Sequence, residues 1–392
     1  MNRSKNTFGG DVAFLQKHTD AIVLEKGKAT VVVVPEYQGR VMTASACGSK
    51  GASSGWINYS LVEQGVLPPA EAAGKLEGHI YAFGGEERFW MGPEGGQYSI
   101  FFAPGKPFEF DDWFTPDPID NEPWKVVSKK KDEIVFSHDF ELLNHSGTHF
   151  QAGVERTVKL LDERRVGELL GAKIPSGLDM VAYQTVNRVI NKGTFAWMPE
   201  SGLLSIWMLS MFRPSPTTTV FIPYKQGDEG MLGPVVNADY FGTVPFERLK
   251  AEDGVIYFKC DGTRRGKIGV TPARSLGIAG SYDPAAGRMT LLVYAPPKEY
   301  FGYVNSMWKL QDEPYKGDAL NSYNDGPVDA SGKQMGPFYE IESSSPALAL
   351  QPGESGTHRQ TIIHFYGEQS DLQKVLSAVA RVELNKVKAM FP

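Results

Sequence analysis

The sequence predicts a mainly β protein, a large antiparallel two-sheet β-sandwich with a C-terminal helix. Three observations support this prediction: short β-rich runs recur along the chain, 42 glycines and 26 prolines supply turns between them, and helical periodicity is scarce. Short runs rich in β-branched and aromatic residues, bounded by Gly, Pro, Asn or Asp, are typical of strands. Many such strands followed by one helix favour two packed antiparallel sheets.

Ten segments of the chain show this strand pattern most clearly. Each combines β-branched or aromatic residues with turn-forming residues at its borders. The predicted strands cover residues 29–34, 97–102, 133–142, 153–160, 181–190, 203–211, 218–222, 255–260, 288–294 and 360–366. Long stretches at 103–123, 225–242 and 296–337 are rich in aromatic residues, Gly and Pro. We expect these to be ordered loops that shape one end of the sandwich.

Helical periodicity is clearest over residues 370–390, where the sequence predicts the C-terminal helix. Ser370 is expected to cap its N-terminus. A second candidate helix covers residues 61–73 and is interrupted by Pro68 and Pro69. The apolar residues that recur at three- and four-residue steps in the C-terminal segment are Leu372, Val375, Leu376, Val379 and Val382.

Composition and charge exclude several function classes. The 392 residues are 41% apolar and 22% charged, as is ordinary for a globular protein, and they contain no internal repeat or low-complexity linker. We therefore expect a single domain over residues 1–392. The formal net charge is −6, and the one short basic cluster, residues 129–131, is followed at once by two acidic residues, which argues against a nucleic-acid partner. No apolar run approaches the roughly 20 residues that span a bilayer. Cys47 and Cys260 are expected as separate thiols, with one disulfide as the alternative.

The first candidate site lies at residues 84–96, where glycine pairs enclose three carboxylates, one Arg and one Trp. Side-chain alternation along an extended segment predicts Glu86, Arg88 and Trp90 on one face. Together with Glu94, these residues suit a sugar, because charged groups bind hydroxyls while an aromatic ring stacks on the apolar face of the pyranose. The alternative is an internal Glu–Arg ion pair that holds two loops together.

A second candidate site lies at residues 339–355. Glu340 and Glu342 are two residues apart, so a strand would place them on one face. A carboxylate at a strand end near a loop mouth can serve as a general base. The alternative is a solvated strand face, which we prefer for Glu354.

The remaining candidates are histidines and basic residues. His145 and His149 flank a turn, so they do not form a helical metal pair, and a His-based zinc site is only a weak alternative to no metal at all. His364 lies on the last predicted strand. Arg40 follows a strand end and either points into a pocket or pairs at the surface. Basic groups in the hairpin 261–269 could meet a carboxylate or sulfate on a substrate, although a polar hairpin is the simpler interpretation.

Known nucleotide and serine-hydrolase motifs are missing from the sequence. There is no phosphate-binding loop, no dinucleotide fingerprint and no nucleophile elbow. We therefore expect no cofactor and neither nucleotide-driven nor serine-hydrolase chemistry.

Several motifs carry a family resemblance. The Gly-Gly…Trp…Pro-Glu segment within residues 85–94, the Leu-x-Pro-Gly-Glu-Ser run at 350–355, and the stretch 183–193 resemble parts of the galactose-mutarotase-like supersandwich, the fold of aldose 1-epimerases. A bacterial family without an assigned function is more similar, over nearly the whole chain. It shares the motifs at residues 39–42, 84–86, 92–96 and 280–283.

The resemblance implies a mechanism and a set of site residues. In mutarotases a Glu on a late strand is the base, and Glu342 lies near that position, with Glu340 as the other candidate. The central strand that carries the mutarotase acid His matches a stretch around Asn187 that has no His. His145, His149 or His364 would then supply the acid. The resulting hypothesis assigns catalysis to Glu342, Glu86 and His145, and substrate binding to Arg40, Arg88, Trp90, Glu94, Asn187 and His364.

These considerations predict a carbohydrate-active protein whose ligand is a mono- or oligosaccharide. The reaction could be anomer interconversion, glycoside cleavage by a carboxylate pair or lyase elimination. The alternative is a non-catalytic carbohydrate-binding module, and a structural or partner-binding protein ranks last. Because sugar-handling relatives are often exported by bacteria, we expect an extracytoplasmic, periplasmic location with the signal peptide no longer attached. A cytoplasmic location is the alternative, since residues 1–10 are polar.

Overall fold

A computed structural model describes residues 7–295, 302–327, 332 and 334–391. Every pairing between its strands is antiparallel, as the sequence predicts. The strands are β1 (Ile22–Lys26), β2 (Ala29–Val34), β3 (Arg40–Ser45), β4 (Arg88–Gly92), β5 (Lys125–Lys129), β6 (Glu133–Leu143), β7 (His149–Leu161), β8 (Asp179–Asn191), β9 (Ser205–Phe212), β10 (Thr219–Pro223), β11 (Leu249–Glu252), β12 (Val255–Lys259), β13 (Gly266–Val270), β14 (Ile278–Asp283), β15 (Arg288–Tyr294), β16 (Leu320–Asn324), β17 (Tyr339–Ser344) and β18 (Ser355–Tyr366). The helices are α1 (Phe8–His18), α2 (Tyr59–Gln64), α3 (Pro69–Ala72), α4 (Glu163–Leu170), α5 (Glu229–Leu232), α6 (Gln369–Val379) and α7 (Leu384–Ala389).

The strands form two layers. A ten-stranded sheet has the order β11-β12-β10-β14-β15-β18-β8-β7-β6-β5. Opposite it lie a five-stranded sheet, β13-β16-β17-β9-β4, and a three-stranded sheet, β1-β2-β3. These two sheets meet where Val41 N donates to Glu87 O at 3.0 Å and Glu87 N donates to Val41 O at 3.1 Å. Because this bridge joins them into one layer, the predicted two-sheet sandwich is confirmed.

The main core lies between the layers, and strand β7 shows how the sequence creates it. Val154, Val158 and Leu160 are buried, whereas Glu155 and Lys159 between them are exposed. Side chains alternate across a strand, so one face of β7 is apolar and packs against the second layer. There it joins a continuous apolar cluster with residues of β4, β9 and β17.

Helices cover the outer surfaces of both layers. Leu372 and Leu376 of α6 are fully buried beside Phe365, on the face of the ten-stranded sheet that points away from the sandwich interior. Leu15 of α1 packs with Val32 over the three-stranded sheet. No helix among the described residues is long and apolar enough to cross a membrane.

Two sequence predictions of secondary structure are wrong. Residues 97–102 form turns and bends instead of a strand. The backbone N–H of Phe101 donates to Ser99 Oγ at 3.0 Å and is therefore not available to a neighbouring strand. The predicted C-terminal helix is two helices, α6 and α7, since the backbone at Ala380 is extended. The N-cap position of α6 is Glu368, two residues before the predicted cap at Ser370, and its side chain forms no capping hydrogen bond.

Other elements were harder to predict because they are short or weakly patterned. The candidate helix at 61–73 is split into α2 and α3 around Pro68. Helix α4 was not predicted, although Asp162 caps it by accepting from Arg165 N at 2.9 Å. The loop predicted at 296–337 contains β16, and its residues 296–301, 328–331 and 333 lie outside the described residues. Cys47 and Cys260 are separate thiols, as expected.

Candidate functional site

The five-stranded sheet carries polar and aromatic side chains on the face that points away from the sandwich interior. Register places these residues together: β4 pairs with β9, β9 with β17, β17 with β16, and β16 with β13. Ser343, on the opposite side of β17, points inward and bonds to residues of β18. We call the outward set the charged face, and its members are Arg88, Trp90, Trp207, Lys267, Asn321, Glu340 and Glu342.

Glu342 is the most constrained carboxylate of the charged face. Its side chain is fully buried, and Oε2 accepts hydrogen bonds from Trp207 Nε1 at 2.9 Å and Lys267 Nζ at 3.1 Å. Lys267 Nζ also lies 4.5 Å from the centre of the Trp207 ring. Glu342 Oε1 has no hydrogen-bond partner among the described residues. One oxygen is therefore fixed and the other is available to a ligand.

Glu340 lies beside Glu342 in a different electrostatic setting. Burial, with the nearby Glu342 charge, holds the pKa of the Glu340 carboxyl well above its ordinary value. Glu340 Oε1, like Glu342 Oε1, lacks a partner in the described part of the chain. A neutral carboxyl next to a carboxylate that an ammonium compensates can divide acid and base roles.

Arg88 and Trp90 form the β4 side of the charged face. The Arg88 guanidinium carbon lies 4.2 Å from the centre of the Trp90 ring, a cation–π contact. Arg88 is 3% exposed, yet its Nε and Nη1 have no hydrogen-bond partner within the described residues. The Trp90 indole N–H is also without a partner there.

Loops predicted from the sequence surround the charged face. Asp318 accepts hydrogen bonds from Asn237 Nδ2 at 2.7 Å and from the Tyr240 hydroxyl, and Asn321 Nδ2 donates to that hydroxyl at 3.2 Å. On the other side, Trp308 Nε1 donates to Glu94 Oε1 at 3.1 Å. Burial raises the pKa of both acidic groups, Asp318 and Glu94.

An aromatic wall continues from Trp90 into these loops. Neighbouring ring centres lie 5.3 Å apart for Trp90 and Phe101, 5.9 Å for Phe101 and Trp113, and 5.7 Å for Trp113 and Trp308. The Trp113 indole N–H, like that of Trp90, has no partner among the described residues. Trp90, Trp113, Trp207 and Trp308 therefore all lie on or around the charged face.

The structure brings part of the predicted site together. Arg88, Trp90, Glu94 and Glu342 all lie on or beside the charged face. Arg40 lies buried behind it, where Nη1 donates to Gly84 O at 2.8 Å and Nη2 donates to Gln38 Oε1 at 2.7 Å. Burial, and then the neighbouring Arg88 charge, lower the pKa of Arg40 to about 9.

Glu86 and His364 lie in the sandwich interior, which corrects the predicted alternation. His364 Nε2 is 2.6 Å from Glu86 Oε1, and His364 Nδ1 is 2.8 Å from Thr290 Oγ1. Alternation fails because Gly84 and Gly85 have positive φ angles of 86° and 113° and the chain bends at Glu86 before β4 begins. Glu86 therefore does not share a face with Arg88.

Asn187 also belongs to the interior. Arg156 Nη1 donates to Asn187 Oδ1 at 2.7 Å, and Arg156 Nη2 pairs with Glu87 Oε1 at 2.8 Å. Thr185 Oγ1 donates to Glu87 Oε2 at 3.0 Å. Asn187 sits on β8 of the ten-stranded sheet, in the layer opposite the charged face. This fully buried network ties the two layers together.

His145 lies away from the carboxylates. Its Nδ1 is 3.0 Å from Ala103 O, and the rings of Phe108 and Phe102 separate it from Trp308. None of the seven histidines, all of which are described, lies within hydrogen-bond distance of Glu340 or Glu342. The described residues also include no cluster of three or more His, Cys, Asp or Glu arranged to hold a metal ion.

Sequence reasoning missed Lys267 and Asp318 as site residues. Lys267 was assigned to a polar hairpin, but it is the second residue of β13 and contacts Glu342 across 75 residues of chain. Lys267 precedes Ile268, whose side chain lies in the apolar core. This polar–apolar alternation is the local signal that Lys267 lies on the other face of a strand. Asp318 lies in a loop just before β16, and no local pattern marks it.

A cavity of about 500 Å³ lies beyond one end of the charged face. Trp56, Tyr59, Arg213 and Met335 line it, and no residue of the charged face does. Trp56 packs against Tyr323 of β16, so the cavity borders the sheet without reaching the carboxylates. None of its lining side chains has a buried, unpartnered polar atom among the described residues. The unpartnered atoms therefore favour the charged face over this cavity as the candidate site.

Asp120 predicts a specific pH dependence of stability. Tyr81 N donates to its Oδ2 at 2.7 Å, Oδ1 has no partner in the described residues, and burial raises the pKa of Asp120 to about 6. The folded protein thus holds this proton more tightly than the unfolded chain. Protonated Asp120 therefore stabilises the folded protein relative to the unfolded chain. This contribution is fully present below about pH 4 and is lost as the pH rises through about 6. Asp120→Asn is therefore expected to raise the free energy of unfolding at pH 7 by up to about 3 kcal/mol, with little change at pH 4.

Urea unfolding at both pH values checks this expectation. Asp111→Asn is the matched control, because Asp111 is exposed on the same loop and the substitution should be neutral at either pH. An equal effect of Asp120→Asn at both pH values, or destabilisation at pH 7, would contradict it.

Comparison with solved structures finds the same fold in other proteins. A putative aldose 1-epimerase from Escherichia coli K12 is 14% identical and covers 89% of this chain and 99% of its own, with a TM-score of 0.51. The Slr1438 protein from Synechocystis is 12% identical and covers 94% of this chain and 100% of its own, with a TM-score of 0.51. A galactose mutarotase-like protein from Lactobacillus casei is 10% identical and covers 88% and 99% of the two chains, with a TM-score of 0.49. The first two confirm the predicted galactose-mutarotase-like sandwich.

Sequence comparison gives one family. A sequence model of a family of unknown function, DUF6786, matches residues 6–391. A comparison of the sequence with curated proteins finds no match. The match over nearly the whole chain agrees with the predicted likeness to a family without an assigned function.

Proposed function

This chain belongs to the family of unknown function DUF6786, and from that premise and its mutarotase-like fold we propose that it binds a sugar on the charged face and acts on the anomeric centre. The ligand is a monosaccharide or the terminal residue of an oligosaccharide. Glu340 is 5% and Lys267 8% exposed, so the surrounding loops cover most of the charged face and favour a small ligand.

One observation carries this proposal. Five buried polar atoms of the charged face have no partner among the described residues, and they are Arg88 Nε, Arg88 Nη1, Trp90 Nε1, Glu340 Oε1 and Glu342 Oε1. Buried polar groups are nearly always paired, and each unpaired one costs about 1–3 kcal/mol. A sugar supplies hydroxyls that both donate and accept, next to an apolar ring face. Such a ligand satisfies guanidinium, indole and carboxyl groups together.

The two carboxyl groups support acid–base chemistry at the anomeric carbon. Glu342 takes the proton of the anomeric hydroxyl while protonated Glu340 donates a proton to the ring oxygen. The bond between the anomeric carbon and the ring oxygen breaks as the carbonyl forms. Rotation and ring closure on the other carbonyl face return both protons and give the opposite anomer. Glycoside cleavage uses the same pair, with water completing the reaction.

A sugar-binding module without turnover is the second candidate function. The observation that favours it is the absence of every histidine of the chain from hydrogen-bond distance of Glu340 and Glu342. The mutarotase resemblance implies a histidine acid in the site. If Glu340 does not replace that acid, the charged face recognises sugars without converting them.

Calorimetry and turnover assays on a panel of free sugars and glycosides test both candidates. Binding with turnover supports the enzyme, binding without turnover supports the module, and no binding to any sugar rejects both. Trp90→Phe removes the unpartnered indole N–H but keeps an aromatic ring beneath Arg88. We expect sugar binding to weaken by roughly 3- to 10-fold in this variant.

Trp124→Phe is the matched control for that variant. Trp124 is equally buried, at 2% exposure, but its indole N–H donates to Pro118 O at 3.0 Å, away from the charged face. This control should lose stability without changing sugar affinity. Equal affinity losses in the two variants would count against the charged face as the binding site.

A further inference from the structure

Arg88 differs from the other well-buried arginines because it has no counter-ion and two of its guanidinium nitrogens, Nε and Nη1, have no hydrogen-bond partner among the described residues. Arg274 also lacks an ion pair, but its guanidinium donates to Gly233 O at 2.7 Å and to Lys225 O at 3.0 Å. Arg156 pairs with Glu87 at 2.8 Å and Arg248 pairs with Asp261 at 2.6 Å. Arg88 is 3% exposed, and no described carboxylate forms an ion pair with it. Buried charges in folded proteins are almost always paired. An unpaired guanidinium aimed at a binding face therefore indicates a missing anionic partner.

The neighbourhood of Arg88 adds positive charge rather than removing it. Arg40 is close enough for its pKa to be lowered by the Arg88 charge, after burial itself. The acidic groups that act on Arg88 are Asp120 and Glu340, and burial raises the pKa of both. The raised pKa of Glu340 keeps its carboxyl mostly neutral at pH 7, whereas Asp120, with a pKa of about 6, is then mostly ionised and offsets one of the two arginine charges. Burial thus produces a local excess of positive charge beside Glu340.

The second cation of the charged face is already engaged. Lys267 Nζ donates to Glu342 Oε2 at 3.1 Å. Within the residues that the structure describes, Arg88 is therefore the cation of this face that has no carboxylate partner. Planar guanidinium groups bind carboxylate, sulfate and phosphate through charge-assisted hydrogen bonds.

We infer that the sugar bound at the charged face carries an anionic substituent, such as the carboxylate of a uronic acid, and that Arg88 binds this substituent. The inference rests on the proposed sugar-binding function and specifies its substrate class. Glu340 faces the same space, and in its neutral form it does not repel the anion. The Trp90 ring holds the Arg88 guanidinium in place through the cation–π contact.

Calorimetry with paired ligands tests the inference. The probes are D-glucuronate and D-galacturonate against D-glucose and D-galactose, with glucose 6-sulfate and glucose 6-phosphate identifying the acid group. We expect at least one anionic sugar to bind the wild-type protein roughly 10- to 100-fold more tightly than its neutral parent. Arg88→Met should weaken binding of the anionic sugar at least about tenfold more than binding of its neutral parent, so that the preference for the anionic sugar disappears.

The Tm of the ligand-free protein provides a second readout. Removing an unpaired buried charge should raise the Tm of Arg88→Met by about 2–4 °C. Arg264→Met is the control, since Arg264 is 57% exposed and pairs with Glu247 at 3.7 Å. It should change neither the Tm nor the preference for anionic sugars.

The outcomes distinguish the inference of an anionic sugar from the proposed sugar-binding function on which it rests. Neutral sugars that bind as tightly as anionic ones, or equal losses of both in Arg88→Met, overturn the inference and leave the sugar-binding function standing. A lower Tm in Arg88→Met also overturns it, because Arg88 would then serve folding. If no sugar of either class binds, the proposed function fails together with the inference.

Discussion

Glu342→Gln is expected to lower the turnover of the sugar substrate by about 10²- to 10⁴-fold, the usual contribution of a general base. The glutamine carbonyl can still accept from Trp207 Nε1, which donates to Glu342 Oε2 at 2.9 Å, so the geometry is retained. The amide cannot take the anomeric proton. We therefore expect sugar affinity to stay within about fivefold while kcat falls.

Steady-state kinetics of matched variants check this result. Glu354→Gln makes the same substitution in an exposed turn a few residues further along, and it should leave kcat unchanged. Glu340→Gln should also lower kcat, because it removes the proposed acid. A Glu342→Gln protein that is folded, binds the sugar and keeps wild-type kcat would eliminate Glu342 as the base.

Arg156→Met is expected to destabilise the protein by about 3–5 kcal/mol, the largest stability effect that we predict. Arg156 and Glu87 are both fully buried and 2.8 Å apart. Replacing the arginine leaves the Glu87 carboxylate inside the sandwich without a cation, although Thr185 and Gln360 still donate to it. The cost is mostly the penalty of that uncompensated charge. Urea unfolding measures it.

The chain offers a matched control for this ion pair. Arg188 and Glu155 lie on the same two strands, β8 and β7, and pair at 2.9 Å with side chains 43% and 52% exposed. Arg188→Met should cost less than about 1 kcal/mol, because solvent screens exposed pairs. The double variant Glu87→Gln, Arg156→Met should recover at least half of the loss. Equal costs for Arg156→Met and Arg188→Met would contradict the prediction.

The start of β4 connects the buried ion pair of the second prediction to the charged face of the first. Glu87 points into the sandwich and anchors the start of β4, whereas Arg88 points out onto the charged face. The buried network therefore fixes the position from which Arg88 reaches a ligand. A binding measurement on Arg156→Met would report on this coupling as well as on stability.

The strands were predictable because their signal is local. The boundaries of β15 match the predicted range 288–294, and those of β2 match 29–34. Alternating burial within a strand depends only on residues two positions apart. For the same reason the shared face of Glu340 and Glu342 was predictable. Failures occurred where side chains or glycines redirect the backbone, as at Ser99 and at Gly84 and Gly85.

The candidate site was only partly predictable because its contacts join distant segments. Trp207 and Glu342 are 135 residues apart in sequence, and Glu94 and Trp308 are 214 apart. His364 was expected near the substrate, yet it pairs with Glu86 in the interior. The periodicity within one segment does not specify which distant segment its side chains will contact.

The sequence by itself determined that this protein is an antiparallel β-sandwich of the mutarotase-like kind, and that paired glutamates and an Arg–Trp segment are its chemical candidates. Short-range alternation and turn residues are sufficient for the antiparallel sandwich, and the resemblance of its motifs implies the mutarotase-like kind. Only the tertiary structure decided that Glu342 meets Lys267, that Glu86 and Asn187 turn inward, and that Arg88 is buried without a counter-ion. Sheet register and loop placement bring these groups together, and both depend on the packing of the whole chain rather than on any one segment.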